Sequence, residues 1–414
     1  MFFVVTNKEG VKDGVKKGVP QKRGQTRPLS VCIVVGEPSG DVLGKAVIEA
    51  LQKSGTAYTF WGIGGPCMMK AGAFTSEVPL ATLGLGGLSF VTKGLTLVRA
   101  LIKMRRQLRR RPTDILITID APDFTLRLAK SAPSSLVKVH CVAPSVWAWR
   151  PGRARKVAAF LDHLCTLFAF EGPYFEKHGL ATTFVGHPTA DWGYDASRDV
   201  PLETLCPGLS PKRPILLLMP GSRMQELKAM ASLFLTIGQK AQTCSPPPQI
   251  VVLTLPHLKQ EVQKYVDISL GKAYVVAFED VKQRLSLMRA ATLALVASGT
   301  STLELAMAEC PMVVAYQVTP LLAWGLRRVL TTPVVSLPNI LLGTTVVPEC
   351  LQEACCEAGV WPHVNYLLQH TQARAKQKEQ LLSLAEKVRA SHAFGKGVAL
   401  AVAEAYAEKK ASQI

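Results

Sequence analysis

The sequence predicts an α/β protein made of two doubly wound, Rossmann-like domains, each with a parallel sheet. Two observations point to this class. Short apolar runs such as Val31–Val35 and "DILITID" at 114–120 alternate with segments whose apolar residues recur at helical spacing. The alternation pauses near 191–211, where loop-forming residues accumulate, and then resumes. A chain of 414 residues, 48% of them apolar, is long enough for two cores.

These patterns divide the chain into four parts. Residues 1–28 form a basic extension without periodicity, which we expect to be flexible. Residues 29–195 and 196–385 form the two domains, and 386–414 form a C-terminal helix expected to pack back on the first domain. Two doubly wound domains joined by a linker face each other across a central cleft, which is a preferred place for a ligand site.

Composition excludes several classes of protein. The net charge of +18 is concentrated in two patches, because residues 1–28 and 93–111 together contribute thirteen of the eighteen charges. Localised basic patches suggest an anionic partner met at particular places. No run predicts a transmembrane helix, and the N-terminus lacks the pattern of a secretory signal. The ten cysteines form no CxxC pair, so we expect reduced thiols and no metal site.

Two polar turns follow predicted strands of the first domain. "GEPSGD" after the first strand supplies Glu37, Ser39 and Asp41 as candidates for substrate binding, although a tight turn and helix cap alone would also explain it. "IDAPDF" ends a buried strand with Asp120 and places Asp123 three residues on. A carboxylate at the edge of an apolar core is costly unless it is paired or has a function. The residues alone leave open whether Asp120 or Asp123 has such a function.

The second domain repeats this design. In "LMPGSRMQEL" a buried strand runs into Gly221, Ser222 and Arg223 and then a helix, whose free N–H groups and planar guanidinium suit a phosphate. Pairing of Arg223 with a neighbouring acid is the alternative. In "ASGTSTLE" the turn Ser298, Gly299 and Thr300 opens another helix, and Glu304 lies one turn into it. Ordinary helix capping is the alternative, which would explain the hydroxyls but explains Glu304 less well.

Two further segments carry a functional and a structural interpretation. Trp147 and Trp149, two apart in "PSVWAWR", suit stacking on a sugar or base as well as core packing. Residues 88–111 predict a basic amphipathic helix with two apolar lines, one through Val91, Leu95, Val98 and Ile102 and one through Leu97, Leu101, Met104 and Leu108. Such a helix suits an anionic membrane surface, or a crossover helix lying on its own sheet.

In their order along the chain, eight motifs resemble the lipid-A-disaccharide synthase family. They run from about Leu29 to about Gln352 and comprise "GEPSGDVLG", "IDAPDF", "PSVWAWR", "GHP.AD", "PGSR", "ASGTSTLE", "CPMVVAY" and "SLPN". The resemblance implies a GT-B fold and an inverting, metal-independent glycosyltransferase without a cofactor. It implies UDP-2,3-diacylglucosamine as donor and 2,3-diacylglucosamine 1-phosphate (lipid X) as acceptor, giving the β-1,6-linked lipid A disaccharide 1-phosphate and UDP.

The resemblance also implies roles for individual residues. Asp120 matches the proposed catalytic carboxylate of the family, and Arg223 matches its essential arginine near the donor phosphates. Ser298 to Thr300 and Glu304 fall where UDP is held, and Asn339 in "SLPN" lies in the same cleft-facing region. The first domain would then bind the acceptor and face the membrane, and the second would bind the UDP-sugar. The sequence departs from the family pattern in "LGLGGLSFV", which has no acid, and in "YQVTP", which has no base.

The implied partners are the donor, the acceptor and the anionic inner face of the inner membrane, with a cytoplasmic, peripheral location. We leave a homodimer open. The closest alternative is another UDP-sugar enzyme on the same scaffold, such as a sugar-nucleotide epimerase, which acts on the donor alone. A nucleic-acid-binding protein is disfavoured because the basic surplus is confined to two patches and no binding module is recognisable.

Overall fold

The computed structural model describes residues 27–83, 90–148, 150–191, 199–319 and 334–413. Within these residues the chain forms two parallel sheets flanked by helices, which confirms the predicted α/β class. The first sheet has the order β3-β2-β1-β4-β5-β6-β7 and the second the order β10-β9-β8-β11-β12-β13. In each sheet the order reverses beside the first strand, so the connections leave toward opposite faces.

The strands and helices follow the chain in regular alternation. The strands are β1 Leu29–Val35, β2 Tyr58–Gly64, β3 Phe74–Pro79, β4 Ile115–Ile119, β5 Val137–Cys141, β6 His163–Thr166, β7 Ala181–Phe184, β8 Ile215–Met219, β9 Gln249–Thr254, β10 Ala273–Ala277, β11 Leu293–Val296, β12 Met312–Tyr316 and β13 Glu349–Leu351. The helices are α1 Pro38–Gln52, α2 Pro66–Lys70, α3 Leu80–Leu83, α4 Phe90–Arg110, α5 Pro122–Ser131, α6 Arg153–Ala158, α7 Pro173–Glu176, α8 Pro188–Asp191, α9 Leu202–Leu205, α10 Met224–Ala241, α11 Lys259–Ser269, α12 Val281–Ala290, α13 Thr300–Met307, α14 Leu337–Leu342, α15 Glu357–Gln369, α16 Thr371–Leu382, α17 Leu384–Val388 and α18 Phe394–Ala411.

Buried β-branched and apolar residues explain the central strands. All five residues of β4 and all five of β8 are buried, as expected for strands covered by helices on both faces. The second sheet accordingly packs against two separate apolar clusters. Among the described residues, no helix is long and apolar enough to cross a bilayer.

The chain crosses between the two sheets at two adjacent places. After β7, Gly186 has a φ of +77°, and a Cβ there would lie 2.9 Å from the backbone nitrogen of Ala390. The backbone N–H of His187 donates to the carbonyl of Val388 at 2.9 Å. The outgoing segment 185–188 and the returning segment 388–390 therefore lie side by side, and we call this pair of segments the crossing.

The returning chain ends on the first sheet. Helix α18 packs against α1 and against β5, β6 and β7, and the Lys409 ammonium pairs with Asp162 at 2.8 Å. Residues 1–26 and the predicted domain boundary at 195/196 lie outside the described residues, so the predicted domain bounds stay a prediction. The predicted helix 88–111 is α4, of which 88 and 89 also lie outside the description.

His140 provides a test of how the first core responds to acid. It is fully buried in β5, where Nδ1 lies 2.8 Å from the Thr118 hydroxyl, and burial together with the charge of Arg153 lowers its pKa to about 3. In the unfolded chain this imidazole takes up a proton near pH 6.5, whereas in the folded protein it stays neutral until about pH 3. The stability that the neutral His140 contributes is therefore lost as the pH falls from about 6.5 toward 3.

We expect the stability advantage of the wild type over His140→Gln to shrink by about 1.4 kcal/mol per pH unit below about pH 6. Urea unfolding at several pH values between 4.5 and 7.5 measures this difference. The same replacement at the exposed His363 is the control. Parallel stability curves for the wild type and His140→Gln would contradict the assignment.

Candidate functional site

The predicted polar turns lie where the order of each sheet reverses. Strands β1 and β4 are neighbours, and the turns after them carry Glu37 and Asp120. Strands β8 and β11 are neighbours in the second sheet, and the turns after them carry Arg223 and the segment 298–300. In doubly wound sheets the crevice beyond such a reversal is the usual ligand site.

The two turns of the first sheet are in direct contact at Gly36. A Cβ at this position would lie 2.2 Å from the Cβ of Ala121, which is closer than real Cβ atoms approach. Any larger residue at position 36 would therefore separate the two turns. Glycine is required here because the chain after β1 must pass over the chain after β4.

Asp120 is held in an unusual backbone conformation. Its φ is +53° and that of Ala121 is +43°, both in the left-handed region that residues other than glycine rarely adopt. The conformation is fixed by Asp120 N–H, which donates to the Cys141 carbonyl at 3.0 Å, and by the Thr125 hydroxyl, which donates to the Asp120 carbonyl at 2.6 Å. Such strain costs about 1–3 kcal/mol per residue and clusters at functional sites.

The Asp120 carboxylate is half-buried and only lightly bonded. Oδ1 accepts from the Ala121 backbone N–H at 2.8 Å, and the exposed Ser39 hydroxyl lies 3.4 Å from Oδ2. The second candidate, Asp123, is exposed and pairs with Arg153 at 3.0 Å. Asp120 thus keeps acceptor capacity toward the edge of the sheet, whereas Asp123 ties α5 to α6.

The carboxyl group of Glu37 is influenced by charged residues of both sheets. Its half-buried carboxyl group has a raised pKa because of burial and the negative charge of Asp120, and Arg223 partly offsets this rise. The guanidinium from the second sheet therefore acts on a carboxyl of the first. The two sets of predicted residues face one region rather than opposite surfaces.

Arg223 both pairs with an acid and remains accessible. Its Nη1 donates to Glu226 Oε1 at 3.2 Å, yet 69% of its side chain is exposed. The other oxygen of Glu226 accepts from the backbone N–H groups of Ser222 and Arg223 at 3.0 and 3.3 Å. Gly221, with φ of +133°, permits this closure, since a Cβ would lie 2.7 Å from Glu226 Cβ. Arg223 thus pairs with a neighbouring acid, as the alternative interpretation predicted, while most of its guanidinium remains accessible.

The turn 298–300 is open at its glycine and anchored at its serine. Gly299 has φ of +157° and open space where a Cβ would be, and the Ser298 hydroxyl donates to the Val335 carbonyl at 3.3 Å. Thr300 begins α13 and is exposed. Glu304 is mostly buried and pairs with Arg284 at 3.1 Å, so its carboxylate is held in place by an adjacent helix.

Tyr316 is a site residue that sequence reasoning missed. It ends β12, beside β11, and its pKa is raised by burial and by Glu226 and lowered by Arg223. The phenol therefore lies in the same charged environment as Arg223. Its position at the end of a predicted buried strand was the available signal.

Two predicted binding residues have structural roles. Asp41 is 3% exposed, and its carboxylate accepts from the backbone N–H groups of Gly65, Cys67 and Met68 at 2.7, 2.8 and 3.1 Å. It therefore caps α2, which lies next to α1, and its oxygens are occupied. A cap and a ligand contact need the same residue type, so the sequence could not predict this structural role, and a binding role for Asp41 stays a prediction.

Asn339 is the second such residue. It is 1% exposed, its Nδ2 donates to the Val347 carbonyl and to Glu349, and its Oδ1 accepts from the N–H groups of Val346 and Val347. All four contacts are between 2.7 and 2.9 Å. The side chain therefore closes its own loop, and a role in substrate binding stays a prediction.

The remaining motif residues are only partly placed. Trp147 is half-buried against Phe170, with ring centroids 5.4 Å apart, whereas Trp149 lies outside the described residues. Among the residues that the structure describes, no group of three or more His, Cys, Asp or Glu side chains is arranged to hold a metal ion.

Comparison with known proteins gives consistent matches. The family model of lipid-A-disaccharide synthetase matches residues 31–402. A lipid-A-disaccharide synthase of Rhodospirillum centenum is 38% identical over 364 residues, which cover 87% of this chain and 90% of that protein.

Solved structures share the fold at low sequence identity. The UDP-GlcNAc 2-epimerase of Neisseria meningitidis bound to UDP-GlcNAc has a TM-score of 0.62 at 11% identity and covers 93% of this chain and 100% of its own. MurG of Acinetobacter baumannii has a TM-score of 0.52 at 12% identity, covering 91% and 100%. These likenesses confirm the expected two-domain α/β fold of the GT-B type.

The contact at Gly36 yields a stability prediction. We expect Gly36→Ala to lower the free energy of unfolding by about 1–3 kcal/mol, because the added methyl group must push the Asp120 turn away. Urea unfolding measures the change. Gly152→Ala is the control, since that residue has φ of −64° and no atom within 4 Å of a Cβ. Equal stabilities of the two variants would refute the tight contact.

Proposed function

Because the chain belongs to the lipid-A-disaccharide synthetase family, we propose that it transfers 2,3-diacylglucosamine from UDP-2,3-diacylglucosamine to the 6-hydroxyl of lipid X, with inversion. The products are the β-1,6-linked disaccharide 1-phosphate of lipid A biosynthesis and UDP. The observation that carries this proposal is that Asp120 of one sheet and Arg223 of the other both act electrostatically on the carboxyl group of Glu37.

Asp120 is the proposed general base. Inversion requires a proton acceptor on the acceptor hydroxyl, on the face opposite the leaving UDP. The Asp120 carboxylate is fixed by backbone contacts, lies at the end of β4 and has remaining acceptor capacity. General-base assistance is worth about 10²- to 10⁴-fold in rate.

Arg223 is the proposed stabiliser of the leaving diphosphate. A guanidinium has five N–H donors, and the pair with Glu226 uses one of them, so the exposed remainder can meet phosphate oxygens. The open turn 298–300 follows β11, the strand next to β8, and adds the backbone N–H groups at the start of α13. Such fixed donors stabilise charge that develops on the leaving group. A UDP-sugar donor is further supported by the related fold that binds UDP-GlcNAc.

Helix α4 is the proposed membrane contact. Leu95, Val98 and Ile102 are 55%, 51% and 58% exposed, whereas Met104 and Leu108 of the other apolar line are buried in the first core. Arg105, Arg106, Arg109 and Arg110 line a surface depression of about 350 Å³ next to Ile102. An exposed apolar line beside a row of arginines suits an anionic bilayer surface. We therefore propose a peripheral location on the cytoplasmic face of the inner membrane.

The epimerase alternative concerns the donor alone. It is kept because the neighbouring fold in Neisseria meningitidis is an epimerase, although 11% identity extends only to the fold. Mass spectrometry of products from the diacylated UDP-sugar, with and without lipid X, separates the two reactions. A disaccharide that requires both substrates supports the transferase, and an altered UDP-sugar formed from the donor alone supports the epimerase.

The two carboxylates of "IDAPDF" allow a matched test of the general base. We expect Asp120→Asn to lower kcat by about 10²- to 10⁴-fold while the Kd for UDP stays within about threefold, because the amide keeps the turn but cannot take a proton. Asp123→Asn should retain kcat within about threefold, since it loses only an exposed ion pair. Product formation under saturating substrates and calorimetric UDP binding give the two numbers. A large loss in Asp123→Asn with normal turnover in Asp120→Asn would reverse the assignment.

The exposed line of α4 can be tested without touching the core. Replacing Leu95, Val98 and Ile102 by Ser should weaken binding to anionic phospholipid vesicles at least about tenfold, since three apolar side chains no longer leave water. Flotation measures the bound fraction. The control replaces Ile268, Tyr366 and Leu382, which are exposed in the second half of the chain, by Ser. Equal flotation of both variants would exclude α4 as the contact.

A further inference from the structure

Glu171 is a buried carboxyl group that the proposed reaction does not use. It is 3% exposed and ends the short 3-10 turn Ala169–Glu171 after β6. Burial raises its pKa to about 7, and hydrogen bonds from Phe168, Trp147 and Leu167 act against this rise. A carboxyl group so far from water needs a reason to be there, because burying it is costly unless its bonds contribute elsewhere.

One oxygen of Glu171 binds the loop that follows β5. The indole N–H of Trp147 donates to Oε1 at 3.3 Å. This loop begins next to Asp120, whose N–H is bonded to the last residue of β5, Cys141. At its far end Arg153 pairs with Asp123, in the first turn of the helix that follows Asp120. Residues 142–148 and 150–152, which we call the tryptophan loop, therefore begin and end beside the segment that carries the proposed base.

The other oxygen of Glu171 binds the chain that contacts the crossing. Oε2 accepts from the N–H groups of Leu167 and Phe168, both at 3.1 Å. Phe168 follows a strand of the first sheet, yet its side chain belongs to a core cluster of the second. Its ring stacks on Phe170 and on His187, each with centroids 5.8 Å apart, and His187 is bonded to the returning chain at Val388.

These contacts make one continuous connection. Trp147 meets the edge of Phe170, Phe170 stacks on Phe168, and Phe168 stacks on His187 at the crossing. The Glu171 carboxylate accepts one hydrogen bond from the indole of Trp147, the first member of this series, and one from the backbone N–H of Phe168, the third. The crossing and the tryptophan loop are therefore joined by direct contacts through this group of side chains.

We propose that Glu171 is a positioning residue, which fixes the tryptophan loop beside Asp120 to the crossing between the two sheets. In the proposed function the acceptor hydroxyl must reach Asp120, beside which this loop begins, so the bond from Trp147 to Glu171 helps to align that hydroxyl with the base. UDP binding by the second sheet does not depend on it. This inference deepens the proposed function and rests on it for the activity that is measured.

The sharpest test removes the indole N–H while keeping an aromatic ring at position 147. Trp147→Phe keeps a ring against Phe170 and leaves the two hydrogen bonds from the backbone N–H groups of Leu167 and Phe168 to the Glu171 carboxylate intact. We expect kcat/KM for lipid X to fall about tenfold, while the Kd for UDP and the melting temperature change little. A purely structural role would instead lower UDP binding and thermal stability together with activity. Trp361→Phe, beside Lys240 in the second half of the chain, is the matched control and should keep wild-type kcat/KM.

A double-mutant cycle with Glu171→Met, which has no acceptor oxygen, tests whether the two residues act through one bond. We expect the double variant to fall no further than Glu171→Met alone, because the shared bond can be lost only once. Multiplicative losses, or wild-type kcat/KM in Trp147→Phe, would overturn the proposal. If Glu171→Met does not fold, Trp147→Phe decides alone. A wild type that makes no disaccharide would refute the proposed function instead, and this result is distinguishable because it precedes any comparison of variants.

Discussion

The close approach of Gly36 and Ala121 is the constraint from which the rest of the site follows. Neighbouring strands β1 and β4 send their helices to opposite faces of the sheet, so the turns after them must pass each other at the sheet edge. The missing side chain of Gly36 allows this passage, and the left-handed backbone of Asp120 and Ala121 completes it. Glu37 and Asp120 thereby share one region of space although they are 83 residues apart in sequence.

The carboxyl groups of Glu37 and Asp120 act unfavourably on each other in that region. Asp120 raises the pKa of Glu37, and Arg223 of the other sheet partly offsets the effect. The same guanidinium is paired with Glu226, which also occupies the first N–H groups of α10. Arg223 therefore links carboxylates of both halves of the protein. For the proposed donor, this means that a diphosphate meets an arginine whose orientation is already fixed by Glu226 and whose outward N–H groups are accessible.

The sequence was sufficient to predict the central strands and the polar turns after them. Runs such as "ILITI" and "ILLLM" are apolar on both faces, which only a covered strand explains. Strand β3 was not predicted because it lies at the edge of the sheet and most of its residues are half-exposed or exposed, so "FTSEVP" has no buried run. Local pattern thus predicts elements that are buried on two sides better than those at an edge.

Residue roles were harder to predict than elements, for a physical reason. Asp41 and Asn339 have the residue types that bind ligands, but the same oxygens and N–H groups satisfy loops, and only their burial and partners distinguish the two roles. Glu171 and Tyr316 were missed for the opposite reason. Trp147, which donates to Glu171, is 24 residues distant in sequence, and Arg223, whose charge acts on Tyr316, is 93 residues distant. No local spacing therefore predicts either interaction.

Helix α4 shows how two alternative interpretations of one segment can hold together. Its line through Met104 and Leu108 is buried in the first core and holds the helix on its own sheet, as a crossover helix requires. That line already anchors the helix, whereas Leu95, Val98 and Ile102 of the other line remain more than half exposed. Three large apolar side chains in water on one face, beside four arginines, form a surface patch that folding alone does not require. The proposed contact with an anionic bilayer would cover this patch, because the bilayer interior is apolar and its surface is anionic.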